Sequence, residues 1–362
     1  MVNEKFALDK EKLGIDPFES GGLNPDPGLL IKEESINLDI LKRLTGQSIL
    51  SVNQFDKEVV SEICKFAALL QSTEIAENHP LDGKIIITAF FEASTRTRLS
   101  FESAVLRLDG KIISIPEGQS TGQAKGESLS DIGEMFNAYG DCVVIRHKET
   151  SAIDEIMQNL RIPLINAGNG TGEHPTQSLA DWFAILKWKP KLMDIVKPEE
   201  QIHLGILGTP GSMRAVNSFL RMSLLFKENI KQISIVSEMA DPLGEELANL
   251  VDKSGIKVKI LNDIEQVISD LDVIYMNSIA LLGDSYKSLD SRFKINDQSK
   301  LKKGAVVLHP LARLDELDPI LDGTHHNLYF TQAHGAVYIR QALFISILNR
   351  FDKLPKQKIP IK

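Results

Sequence analysis

Residues 94 to 98 read STRTR and follow directly on the apolar run KIIITAFF (84–91). Ser94, Thr95, Arg96 and Thr97 all carry hydrogen-bond donors, and Arg96 contributes a planar fork of N–H groups suited to phosphate oxygens. A strand turning into a helix here would set those donors beside unpaired backbone amides and the positive end of a helix dipole. All of these features favour one compact dianion. Ser94 alone would read as a helix cap. A run of donors directly after an apolar strand argues instead for a ligand. The chain has no G-x-x-x-x-G-K-[ST] loop, so the expected ligand is a small phosphate compound and not a nucleoside triphosphate.

Two other stretches bear on chemistry. Gly205, Gly208 and Gly211 form G-x-x-G-x-x-G after an apolar run, with Glu238 beyond the next one, which raises an NAD-binding oxidoreductase as a lesser reading. The spacing departs from G-x-G-x-x-G, and Pro210 stiffens the turn that a pyrophosphate would approach. EGQSTGQAKGES (117–128) is rich in glycine and small polar residues and reads as a mobile loop before a helix.

The elements that must position these residues follow from the rest of the chain. Its 362 residues suffice for two domains with real cores, and 43% apolar with 25% charged residues fits a globular protein. A net charge of −8 argues against a general nucleic-acid binder, which needs a broad basic surface. No apolar run approaches the roughly 20 residues that cross a bilayer, and the N-terminus lacks the apolar core of a secretory signal. Cys64 and Cys142 lie far apart in apolar segments and read as buried thiols, not as a disulfide or metal pair. A reducing, cytoplasmic setting is the expectation.

Residues 1–46, with DPFESGGLNPDPG, read as an N-terminal extension on the surface or partly disordered. DKEVVSEICKFAALLQS (56–72) has helical spacing, KIIITAFF is a buried strand, and 95–108 again carries a helical apolar face. Strand and helix then alternate through KIISI, GESLSDIGEMFNAY, DCVVIR, SAIDEIMQNL and PLINAG. A second series begins near 201, with strands at HLGIL, ISIVS, VKIL, DVIYM and AVVLH. This pattern predicts an α/β protein of two domains, each a mostly parallel sheet flanked by helices. The domains span 47–189 and 190–334, and a final helix near 335–350 packs back on the first, so that 335–362 belongs with it.

STRTR after FFEA, HPTQSLAD (174–181) and HPLAR (309–313) together resemble the aspartate/ornithine carbamoyltransferase family, and HPLAR is similar to the aspartate branch. The resemblance runs from about Ile49 to the C-terminus. It implies that the anion is carbamoyl phosphate and that the reaction carbamoylates the α-amino group of L-aspartate, a step of pyrimidine biosynthesis, with neither metal nor cofactor. It implies a phosphate site of Ser94, Thr95, Arg96 and Thr97, with Arg146 reaching phosphate and carbonyl oxygen. His174 would donate to that oxygen, while Gln177 and the carbonyls of Leu311 and Ala312 accept from the carbamoyl NH2. Thr121 (or its neighbour Ser120) and Lys125 lie in the loop that in this family enters a neighbouring subunit's active site, which implies a homotrimer with shared sites. Arg214 stands where the family grips the amino acid's α-carboxylate, with Lys125 and Leu311 beside the same substrate. A regulatory chain or a dihydroorotase partner stays open.

The sequence departs from this pattern at the second substrate. Ser278 and Ala280 occupy the positions of an arginine and a glutamine that recognise aspartate's side-chain carboxylate in the family. Ala312 replaces the usual proline, and Thr209 stands where an acidic residue is usual. Either Lys287, Arg292 or Arg313 supplies the missing charge, or the acceptor is another amino acid or amine. A catalytically silent family member is a further alternative.

Overall fold

The computed structural model describes residues 18, 21–31, 36–73, 78–116, 122, 126–277 and 290–355. Helix α1 (Leu38–Lys42) leads into α2 (Lys57–Ser72), whose N-cap Asp56 accepts a 2.8 Å bond from the Val59 amide. The first sheet unit follows: β1 (Ile85–Phe90), α3 (Thr95–Leu106), β2 (Lys111–Ile115), α4 (Leu129–Tyr139), β3 (Cys142–His147), α5 (Ala152–Met157), β4 (Leu164–Asn169) and α6 (Pro175–Trp188). The second unit comprises β5 (Ile202–Leu207), α7 (Arg214–Leu225), β6 (Ile230–Val236), α8 (Gly244–Ser254), β7 (Val258–Leu261), β8 (Val273–Met276) and β9 (Val306–Leu308). Helix α9 (Tyr329–Ile347) ends the regular structure.

Both sheets are wholly parallel among the described residues, with strand orders β2-β1-β3-β4 and β7-β6-β5-β8-β9. Parallel strands need crossovers that cover both faces, so β1, β3 and β4 are almost continuously apolar and buried. The order reverses between β1 and β3 in one sheet and between β5 and β8 in the other. Ligands of such sheets bind beyond the carboxyl ends of the strands at these reversals.

Helix α9 packs on α6, α2 and α3, so the end of the chain completes the first unit as expected. It begins at Tyr329, not near 335. Its N-cap Leu328 has no side-chain capping bond, so the usual start signal is missing, and Gly335 lies within it. The extension also departs from expectation, because Leu30, Ile36, Leu41 and Leu44 are buried in the main core. Asn37 caps α1, and its own amide donates to Glu62 Oε2 at 2.9 Å. Both thiols are buried and free, and burial raises the pKa of each. No helix among the described residues is long and apolar enough to cross a membrane.

The glycine-rich turn after β5 has a packing explanation. A Cβ on Gly205 would lie 2.4 Å from Leu271 Cδ1, and one on Gly211 would lie 2.7 Å from the Leu243 carbonyl oxygen. Gly208 has a φ of +138°, which side chains rarely adopt. These glycines let strand, turn and helix approach one another without any ligand. Gly211→Ala should therefore destabilise the fold by about 1–3 kcal/mol in urea unfolding, with no thermal response to NAD(H) in either protein.

Candidate active site

Three helix N-termini open onto one cavity of about 960 Å³. Helix α3 starts at N-cap Ser94 beyond β1, α6 at His174 beyond β4, and α7 at Met213 beyond β5. None of these three N-cap side chains accepts from a backbone amide of its own first turn. Capping would normally satisfy part of a helix's free amides, so all three ends keep donors and positive dipole directed at the cavity. Ser94 is thus at a cap position without doing a cap's work.

Charge accumulates at the same place. Ser94, Thr95, Arg96 and Thr97 all line the cavity, and the Arg96 guanidinium has no partner among the described residues. Arg146 projects from the end of β3, donating from Nη1 to the Ala167 carbonyl at 3.3 Å. Burial first, and Arg214 second, lower its pKa to about 10, against the pull of Glu92. Glu92, in the turn between β1 and α3, accepts from Arg146 Nη2 at 3.2 Å. It also takes both prongs of Arg214, at 2.8 and 3.0 Å, while Arg214 Nη1 reaches the Gly170 carbonyl at 2.7 Å. One carboxylate from the first unit therefore holds an arginine from each unit.

Arg340 on α9 is a fourth guanidinium in the wall. It is 2% exposed, lies 4.3 Å above the Phe101 ring, bonds Ser100 Oγ, and leaves Nε without a partner. Burial pulls its pKa to about 9. Four guanidinium groups thus line one cavity, two of them paired with the same Glu92 carboxylate, an excess of positive charge that favours an anion.

His174 is 5% exposed. Its amide donates to Ser218 Oγ at 2.8 Å, Thr176 Oγ1 lies 3.5 Å from Nδ1, and Nε2 has no partner. A ligand oxygen at Nε2 would select the tautomer that carries its proton there, leaving Nδ1 to accept from the Thr176 hydroxyl. Burial, then Arg146, Arg340 and Arg214, hold its pKa well below 6.5, so the ring is neutral. Gln177 Nε2 donates to Asp181 Oδ1 at 2.8 Å, which leaves its carbonyl oxygen as the acceptor toward the cavity. Asp181 also accepts from Gln332 Nε2 at 2.5 Å, and Gln332 Oε1 accepts the His309 amide at 2.9 Å. Burial raises the Asp181 pKa to about 7. The Tyr275 hydroxyl faces the same carboxyl but falls short of hydrogen-bond geometry.

The HPLAR segment is fixed from within. The Leu311 amide donates to His309 Nδ1 at 2.9 Å, so His309 Nε2 carries the proton and donates to Glu316 Oε1 at 2.9 Å. Leu311 has a φ of +55°, and the Leu311–Ala312 peptide is cis.

The structure brings Ser94, Thr95, Arg96, Thr97, Arg146, His174, Gln177, Arg214 and Leu311 to one cavity. Ala312 is not in its wall, because the chain turns away beyond Leu311. Thr121, Ser120 and Lys125 lie outside the described residues, as do Ser278, Ala280 and Lys287. Arg292 is held by Asp290 at 2.8 Å and Arg313 by Asp322 at 2.6 Å, and neither lines the cavity. Sequence reasoning missed Glu92 and Arg340. The first stood inside the FFEASTRTR motif; the second shares a helical face with Ala333 and Ala336, small residues that leave room beside it.

Comparison with known proteins adds the following. The family model "Aspartate/ornithine carbamoyltransferase, carbamoyl-P binding domain" matches residues 47–187, and "Aspartate/ornithine carbamoyltransferase, Asp/Orn binding domain" matches 200–347. The aspartate carbamoyltransferase catalytic subunit of Pyrobaculum calidifontis is 33% identical over 310 residues, 84% of this chain and 98% of that protein. That of Thermococcus kodakarensis is 35% identical over 307 residues, 82% of this chain and 96% of that one. Aspartate transcarbamoylase from Trypanosoma cruzi, solved with carbamoyl phosphate and aspartate, superposes with a TM-score of 0.72 at 28% identity, covering 85% of this chain and 98% of that one.

A histidine kept neutral by its folded surroundings contributes stability that is full above its unfolded pKa, about 6.5, and is lost as pH falls below it. Replacing His174 with Gln should flatten the fall in unfolding free energy between pH 6.5 and 5 by up to about 1.4 kcal/mol per pH unit. Urea titrations of both proteins across that range measure the difference.

Proposed function

The chain belongs to the aspartate/ornithine carbamoyltransferase family, and from that premise we propose that it transfers the carbamoyl group of carbamoyl phosphate to the α-amino group of L-aspartate. The products are N-carbamoyl-L-aspartate and phosphate. The observation that carries the reading is the meeting of three uncapped helix ends, an unpaired Arg96 and a neutral His174 at one cavity.

In this reading the phosphate sits on the α3 terminus, held by Ser94, Thr95, Arg96 and Thr97, with Arg146 between phosphate and carbonyl oxygen. His174 donates from Nε2 to that oxygen. A neutral donor gains most when the carbonyl becomes an oxyanion, an effect typically worth about 2.7–4 kcal/mol. Gln177 and the Leu311 carbonyl accept from the carbamoyl NH2 and fix the plane of attack; Ala312 is a weaker candidate for the same task. The amine nitrogen bonds to the carbonyl carbon, the bond from carbon to phosphate oxygen breaks with its electron pair, and the departing phosphate takes the amine's proton. Positioning and electrostatics supply the catalysis.

Arg214 receives the amino acid's α-carboxylate. Glu92 already occupies its fork, so the substrate's carboxylate must take over from a carboxylate of the protein. Residues 47–189 with 335–362 form the carbamoyl phosphate domain and 190–334 the amino-acid domain. Thr121 or Ser120, with Lys125, completes the site from a neighbouring subunit, making a cytoplasmic homotrimer; a regulatory chain or a dihydroorotase partner stays open.

A second reading, a different acceptor amine, is favoured by Ser278 and Ala280 and by the prior engagement of Arg292 and Arg313. Steady-state rates with carbamoyl phosphate and a panel of amines separate the two. Turnover of aspartate supports the first; none at millimolar concentration, with another amine consumed, replaces it with the second. Arg96→Ala should lower kcat/KM for carbamoyl phosphate by 10²-fold or more, as loss of a charged oxyanion-site donor does. Arg214→Met should raise KM for the amino acid at least about 30-fold, for a lost charge pair of 2–5 kcal/mol, with carbamoyl phosphate affinity changed far less.

A further inference from the structure

A second cavity, about 320 Å³, lies behind the first, and Lys187 of α6 forms part of its wall. Lys187 is 1% exposed. An ammonium has three protons to donate, yet among the described residues it makes a single hydrogen bond, to the neutral Gln71 Oε1 at 3.2 Å, with Nζ 4.6 Å from the Phe183 ring centroid. No carboxylate among the described residues pairs with it. The thiol of Cys64, the group whose field it feels, is held protonated by burial. Burial lowers the lysine's own pKa to about 8, so it still carries most of its charge at neutral pH. A buried cation without a counter-charge is costly, and evolution usually pairs or removes it.

The cavity adjoins Lys187 where α6 meets α9. Gly335 on α9 lets that helix close on α6 beside Lys187: a Cβ there would lie 2.9 Å from Phe183 Cδ1 and 3.8 Å from Lys187 Nζ. Arg107, exposed at the rim and braced by Ser103 Oγ at 3.1 Å, adds a second cation. Asn24, from the stretch preceding the family match, adds a polar amide. The volume suits a small molecule.

We propose that this cavity is a binding site for a small anion bearing a carboxylate or phosphate group, held by Lys187 from below and Arg107 at the rim. The site is separate from the carbamoyl phosphate site and does not rest on the reaction assigned above. His334 borders both cavities, so an anion in one sits beside the wall of the other.

The test uses the full-length protein carrying Arg96→Ala, which weakens anion binding in the main cavity. Calorimetry with inorganic phosphate and with citrate, at constant ionic strength set by potassium chloride, should detect binding below about 10 mM. Preference for phosphate assigns a phosphorylated metabolite, and preference for citrate a carboxylic acid. Adding Lys187→Met should weaken the binding at least tenfold in protein that keeps its assembly mass. Arg107→Ala, at an exposed position that does not threaten folding, should weaken it several-fold, and it decides the matter should the methionine variant fail to fold. Unchanged affinity in the folded Lys187→Met protein overturns the proposal. So does the absence of binding beyond the chloride control, or unchanged affinity in Arg107→Ala where only that variant folds.

Discussion

Like charges repel, and the cavity between the two sheets is built against that fact. Arg96, Arg146, Arg214 and Arg340 converge there, and Glu92 is the carboxylate placed among them. Burial strips solvent from Arg146 and Arg340 and draws both guanidinium pKa values down, and Arg214 adds to the effect at Arg146. The helix ends add to the same excess. An anion entering relieves this excess: the α3 end and Arg96 stand ready for it, while Arg214 must first give up Glu92.

This constraint explains what the other polar groups do. Thr176 stands at Nδ1 of His174, and Asp181 turns Gln177 so that its carbonyl faces inward. Gln332 ties Asp181 to His309, and His309 fixes Leu311. Each contact removes a rotational choice from a side chain that would otherwise have to find its position after the ligand arrives. The line runs from α6 through α9 to the loop beyond β9, so both units help define the geometry of one carbonyl carbon.

Alternating apolar runs made the two parallel sheets legible, because buried parallel strands are continuous in hydrophobicity and their crossovers are not. The site was legible where donors cluster locally, as at Ser94 to Thr97, or where a motif joins His174 to Gln177. It was not legible where the partner is distant in sequence. Glu92 bonds Arg214 across 122 positions, Arg340 reaches the cavity from 240 positions beyond Ser100, and no local pattern records either pairing. Lys187 was hidden for a related reason: within an apolar helix it resembles a surface lysine until the packing of α2 and α9 encloses it. The start of α9 was misplaced because Leu328 offers no cap, and Gly211 suggested a ligand where backbone contact alone requires a glycine.

Helix α9 is the last long element among the described residues, yet it covers α2, α3 and α6 of the first unit. Its Thr331 hydroxyl donates to the Leu23 carbonyl at 2.7 Å, and the Gly46 amide reaches the Ile347 carbonyl at 2.8 Å. A ribosome making this protein releases β1 to α6 long before the residues that will shield their outer apolar surface. Contacts so remote in sequence close slowly. The nascent amino-terminal half must therefore wait, with Phe101 and Phe66 still lacking Phe344 and Phe351, until the final stretch emerges. For this architecture the interval of synthesis is the period of greatest exposure to aggregation.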